Sequence, residues 1–178
     1  MSKNPLQYEV LLIAGIDSIS LARFTYLLHE ADCRVTLLSP PGFAVNRSRF
    51  VARHIATSSK LEDSILHLKE VLSTQNPPFA HVIIGDEPTL VELAKHQGED
   101  WLDGWFPVDH RSNALETILS KHAFYHEMEG AGVYMPYSKL CQGWAEVEEA
   151  VRHAGYPIIL KAQQGCSGSA VHKVHDSS

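Results

Sequence analysis

Lys161 stands at the end of an apolar run, Tyr156-Pro157-Ile158-Ile159-Leu160, and is followed by Gln163-Gln164-Gly165-Cys166-Ser167-Gly168-Ser169. An ammonium at the end of a buried strand is costly to leave unpaired, so it calls for an anion. Gly and Ser let backbone N–H groups approach an oxyanion and add hydroxyl donors, which is the chemistry of a phosphate cradle. The lysine precedes the glycines, so the spacing is not that of a Walker loop. An ordinary β-hairpin with a flexible turn and a snorkelling lysine is the other reading of the same residues.

Two further segments lie where a doubly wound sheet binds ligands, at the carboxyl ends of strands: Gly15-Ile16-Asp17-Ser18, and Asp86-Glu87 after Gly85. Neither carries G-x-G-x-x-G, and the second strand ends in Ser39-Pro40 without an acidic ribose ligand, which argues against a dinucleotide dehydrogenase. In both segments a helix cap explains the residue types as well. The pairs His122/His126 and His172/His175 lack an obvious third ligand, so no metal site is expected from them. Cys33, Cys141 and Cys166 are odd in number and form no CxxC, which suggests neither a disulfide framework nor a thiolate metal site. Nothing near Cys166 in sequence lowers its pKa.

The elements that must position these groups alternate. Val10 to Ala14 is a continuous apolar run of the kind found in a strand buried on both faces. Leu21, Phe24, Leu28 and Ala31 share the face of a helix capped by Asp17 or Ser18, and a second strand runs from Arg34 to Ser39. Ser59 and Glu62 form a capping box for a helix with Leu61, Ile65, Leu68 and Leu72 on one stripe. His81 to Gly85 is a third strand, and Asp86-Glu87-Pro88 opens the next helix. This alternation predicts an α/β fold with a parallel sheet and right-handed crossovers.

The stretch from Gly98 to Arg111, rich in Trp, Asp, Gly and Pro, marks the domain boundary, giving domains 1–111 and 112–178. Trp101 and Trp105 in it suit either an interface or packing of the linker onto its own domain. Beyond it, Asn113 and Glu116 cap one helix carrying Leu115, Ile118, Leu119 and Ala123, which ends near Gly130 and Gly132. A helix with Trp144, Val147, Val151 and Ala154 on one face follows, closed by Gly155, and then two strands around the Lys161 loop.

Composition narrows the function classes. A net charge of -6 argues against a nucleic-acid partner, which needs clustered Lys and Arg. The apolar run near the start is far shorter than the roughly 20 residues of a membrane span, and no basic leader precedes it. The expected address is the cytoplasm, with no membrane partner.

Taken in order, Ser120-Lys121-His122-Ala123-Phe124, Gly132-Val133-Tyr134-Met135-Pro136, Ala154-Gly155-Tyr156-Pro157-Ile158-Ile159-Leu160-Lys161 and Gly165-Cys166-Ser167-Gly168-Ser169 resemble the ATP-grasp superfamily. The resemblance spans nearly the whole chain, in the carboxylate–amine ligase and carbamoyl phosphate synthetase style, and covers the N-terminal portion only. It implies a Rossmann-like parallel-sheet preATP-grasp domain followed by the first α+β part of an ATP-grasp domain. It further implies that Lys121 and Lys161 hold ATP phosphates, that Gly165, Ser167, Gly168 and Ser169 belong to the loop covering them, and that Asp17 and Ser18 border the acceptor-substrate site. Asp86 and Glu87 admit the same reading. Ala162, Cys166 and Ala170 depart from the family pattern, which bears on the loop's phosphate contacts.

The reaction so implied converts a carboxylate to an acyl phosphate with ATP and Mg²⁺, after which an amine or other nucleophile displaces phosphate. Hard cations need carboxylate oxygens, and after Lys161 the only carboxylate side chain is Asp176. The expectation is therefore a fragment of a longer ligase, or a truncated product inert alone that persists as a nucleotide-binding or interaction module. Self-association, or pairing with a missing C-terminal half, is expected where apolar surface is left uncovered. The sequence names neither the acceptor nor the nucleophile.

Overall fold

A computed structural model of the chain describes residues 8–74, 78–106, 114–162 and 170–176. The chain divides into two compact units, Met1–Pro107 and Val108–Ser178.

Unit 1 is built on four parallel strands, β1 (Tyr8–Ile13), β2 (Cys33–Ser39), β3 (Val51–Ala56) and β4 (His81–Ile84), in the order β3-β2-β1-β4. Helices α1 (Ile19–Glu30) and α2 (Leu61–Thr74) and a short 3-10 helix at Ala44–Arg47 lie between the strands in sequence, and α3 (Glu87–Ala94) follows β4. The apolar run of β1 is continuous because both of its faces are covered. Leu11 and Ile13 pack into one buried cluster with Leu38, and with Ile65 and Leu68 of α2. Val10, Leu12 and Ala14 face the other cluster, with Val35, Leu37 and Leu21 of α1. Alternate residues of one strand thus feed two cores, as a parallel sheet between helical layers requires.

Three local readings are corrected. Strand β3, Val-Ala-Arg-His-Ile-Ala, was not anticipated, because as an edge strand it is mostly exposed and carries Arg53 and His54 in place of an apolar run. The start of α2 is organised by Ser58 and not by Ser59 with Glu62: Ser58 Oγ accepts from Lys60 N at 3.1 Å and donates to Asp63 Oδ2 at 3.0 Å. The single helix expected from Asn113 is two, α4 (Ala114–Leu119) and α5 (Lys121–Gly130), divided at Ser120, whose side chain accepts from Ala123 N at 3.2 Å and so starts a new helix. Asn113 lies outside the described residues.

Unit 2 continues with α6 (Trp144–Ala154) and an antiparallel pair, β5 (Ile158–Lys161) and β6 (Val171–Val174). Gly155 ends α6 with φ of 75°, a conformation that glycine adopts without strain. None of the described residues of this unit is buried. Trp101, Trp105 and Phe106, by contrast, pack against the unit 1 core, so the linker tryptophans belong to that unit's own packing.

Candidate functional site

In unit 2 the functional side chains are placed by a strand pair. The register sets Ile158 opposite Val174, Ile159 opposite Lys173, Leu160 opposite His172 and Lys161 opposite Val171. Residues directly opposite share a face and successive residues along a strand change face. Ile158, Leu160 and Val174 line a groove of about 320 Å³ against Trp144, Val147 and Val151 of α6. Lys161 and Lys173 therefore lie on the face away from that groove, together with Ile159 and Val171, which are 57% and 44% exposed. That face combines two ammonium groups with two open aliphatic side chains, and it can take the anionic end and the flat apolar end of one ligand. The Lys161 ammonium has no hydrogen-bond or ion-pair partner among the described residues, which leaves it available to an anion.

Lys121 is the first residue of α5, immediately after the Ser120 cap. A cation there adds to the positive end of the helix dipole, an arrangement that is unfavourable in an isolated helix and favourable beside an anion. No acidic residue occupies the first turn of α5 to offset it. Gly165, Ser167, Gly168 and Ser169 lie outside the described residues. Lys173 was not singled out from sequence; the signal was the period-two match between Ile159/Lys161 and Val171/Lys173 across the turn.

In unit 1 the four remaining candidates sit at the carboxyl ends of β1 and β4. Ser18 caps α1, its side chain accepting from Ser20 N at 3.3 Å. Asp17 Oδ1 accepts from Ala44 N at 2.7 Å and so ties the β1–α1 loop to the 3-10 helix. Asp86 caps α3 and also accepts from Gly15 N at 2.7 Å and Ile16 N at 3.2 Å, which joins the two loops. Glu87, half-buried in the first turn of α3, makes no side-chain hydrogen bond among the described residues. Outside these segments Glu99 accepts from Trp101 Nε1 at 2.6 Å and Lys69 Nζ at 3.1 Å and lies 2.7 Å from His96 Nδ1. Those contacts, that of His96 foremost, hold its carboxyl down at about 2. This cluster clamps the segment after α3 onto α2.

No family model matches the sequence, and no curated protein matches it. Solved structures do match. The biotin carboxylase domain of the Hydrogenobacter thermophilus 2-oxoglutarate carboxylase, solved with MgADP, ADP and bicarbonate, superposes with a TM-score of 0.61 at 15% identity, over 96% of this chain and 38% of that one. A RimK domain protein ATP-grasp from Sphaerobacter thermophilus gives a TM-score of 0.53 at 18% identity, over 94% of this chain and 54% of that one. The chain has the fold of the N-terminal portion of ATP-grasp proteins. The L-amino acid ligase of Bacillus licheniformis superposes with a TM-score of 0.58 at 14% identity, over 97% of this chain and 40% of that one. In each case the chain spans well under two thirds of the matched structure's length.

Among the described residues no three His, Cys, Asp or Glu side chains gather into a metal-binding group. No chemical step is assigned through a metal ion. Among those residues no helix is long and apolar enough to cross a membrane.

Proposed function

We propose that this chain supplies the N-terminal, phosphate-holding portion of an ATP-dependent carboxylate ligase. The observation that carries the reading is the Lys161 face of the β5–β6 pair: an ammonium at a strand end with no partner among the described residues, beside open aliphatic side chains, in a chain with an ATP-grasp fold. Lys161 and Lys121 hold the ATP phosphates, and Gly165, Ser167, Gly168 and Ser169 cover them. Their part in catalysis is to position the transferred phosphoryl group and offset its charge, the principal means by which phosphoryl transfer is accelerated. Asp17, Ser18, Asp86 and Glu87 border the acceptor-substrate site, Asp86 acting through the loop it holds. Mg²⁺ serves the complete ligase through carboxylates that this stretch does not contribute. The domains run 1–111 and 112–178, and the cytoplasm is the proposed site of action.

Calorimetric titration with ATP tests this. Binding by the native chain that is lost in Lys161→Ala supports the assignment; equal binding by both proteins, or by neither, counts against it. A second reading, a non-catalytic nucleotide-binding or interaction module, is favoured by the open apolar residues of unit 2, with Trp144 69% and Tyr134 95% exposed. It predicts ATP binding without acyl phosphate formation when carboxylates and a complementing C-terminal half are supplied.

A further inference from the structure

The sheet order β3-β2-β1-β4 puts the reversal of chain progression between β1 and β4. At such a switch point a doubly wound sheet receives ligands, and adjacent loop N–H groups take an oxyanion. Here the adjacent donors are Gly15 N and Ile16 N, and both point at one oxygen, Asp86 Oδ2, at 2.7 and 3.2 Å. The other oxygen, Oδ1, accepts from Thr89 N at 2.9 Å and from Thr89 Oγ1 at 2.8 Å, on a threonine with no exposed surface. Four donors thus converge on one carboxylate. A helix cap needs only the Oδ1 half of this arrangement; the Oδ2 half reaches 70 and 71 residues back along the chain.

The approach of the two loops is also tight. A Cβ on Gly15 would lie 2.6 Å from both Leu61 Cδ1 and Thr89 Oγ1, so the loop is held against α2 and α3 with no room for a side chain. A Cβ on Gly85 would lie 2.7 Å from the carbonyl oxygen of Ile13. An external phosphate or carboxylate could reach the Gly15 and Ile16 N–H groups only by displacing a carboxylate that is already seated, and would then face its charge.

We propose that Asp86 is the built-in occupant of the oxyanion position of unit 1, a specificity-determining and positioning residue that excludes the phosphate and carboxylate groups of ligands from the switch point. The inference does not depend on the ATP reading of unit 2. It implies that a ligand bound at this end of the sheet keeps its anionic groups away from the β1–α1 loop.

Amide NMR with inorganic phosphate and acetate as probes tests it. In the native chain the Gly15 and Ile16 resonances stay in place at millimolar phosphate. In Asp86→Gly, where the position is vacated, acetate and phosphate shift both resonances and raise the thermal midpoint, at concentrations lower by about tenfold or more, the worth of one charge-assisted hydrogen bond. Asp86→Asn keeps the size of the side chain and one acceptor oxygen; in it, hydrogen exchange at Gly15 and Ile16 quickens while α3 persists, and this variant serves where the glycine variant does not fold. Saturable shifts of the two amides in the native chain at the concentrations effective on Asp86→Gly would overturn the proposal. So would a folded Asp86→Gly indifferent to both anions, or an Asp86→Asn with native protection at both amides.

Discussion

The two units use the same vocabulary of apolar stripes and strands to different ends. In unit 1 the stripes close on one another: residues from β1, β2, α1, α2 and α3 lose nearly all contact with water, down to zero exposure at Leu11, Leu12, Leu37, Leu38, Ile65 and Leu68. In unit 2 helix α6 has a well-formed apolar face, yet that face borders a groove, and none of the unit's described residues is buried. Burial of apolar surface is the dominant stabilising term in folding. Unit 1 therefore carries its own stability, whereas the described elements of unit 2 gain little from each other.

The largest test of that contrast is truncation. Leu12→Ala, at a fully buried site in β1, is expected to cost about 2–5 kcal/mol in denaturant unfolding, whereas Val151→Ala on the groove face of α6 is expected to cost about 1 kcal/mol or less. Comparable losses would show that unit 2 is packed as firmly as unit 1. A smaller effect is expected at glycines. Gly15→Ala forces a clash with Leu61 and Thr89 and should destabilise by roughly 1–3 kcal/mol, as overpacking does. Gly130→Ala, with nothing within 4 Å of the added carbon, should be neutral or slightly stabilising.

The smallest expected effect is in pH dependence. Glu99 in unit 1 is held at about 2, against an ordinary 4.5, by His96 first and then by Trp101 and Lys69. A depressed carboxyl stabilises the fold above its unfolded value and loses that contribution on acidification. The thermal midpoint should therefore fall as pH drops from about 4.5 towards 2, and less steeply in Glu99→Gln. Glu149 in unit 2 is lowered by its 2.7 Å contact with Lys139, in the same sense. That pair is exposed and screened by salt, so Glu149→Gln should leave the acid limb of the profile nearly unchanged at physiological ionic strength.

What could be read in the sequence follows the same division of burial. Val10 to Ala14 and Arg34 to Ser39 declared themselves as strands because both faces are covered, which removes polar alternation and leaves an apolar run. The edge strand β3 did not, because one side of it meets water and its residues match those of a loop. The cap at Asp86 was legible from Asp-Glu-Pro, since capping depends on neighbours in the chain. Its bonds to Gly15 and Ile16 were not, because they depend on how β1 and β4 are brought side by side. The apolar stripe from Leu115 to Ala123 continues through Ser120, and only the backbone shows that its hydroxyl caps a new helix. Lys161 was prominent as a cation after an apolar run. Lys173 became a candidate only through the register of β5 on β6.

The central claim is that unit 2 presents lysines to nucleotide phosphates. Calorimetric titration of the native chain with ATP, beside Lys161→Ala and Lys121→Ala, tests it most directly. The account predicts saturable binding by the native chain, lost in Lys161→Ala and weakened in Lys121→Ala, with unfolding midpoints of all three alike because both lysines are exposed. Binding of equal strength in all three proteins, or no binding by the native chain, would contradict it.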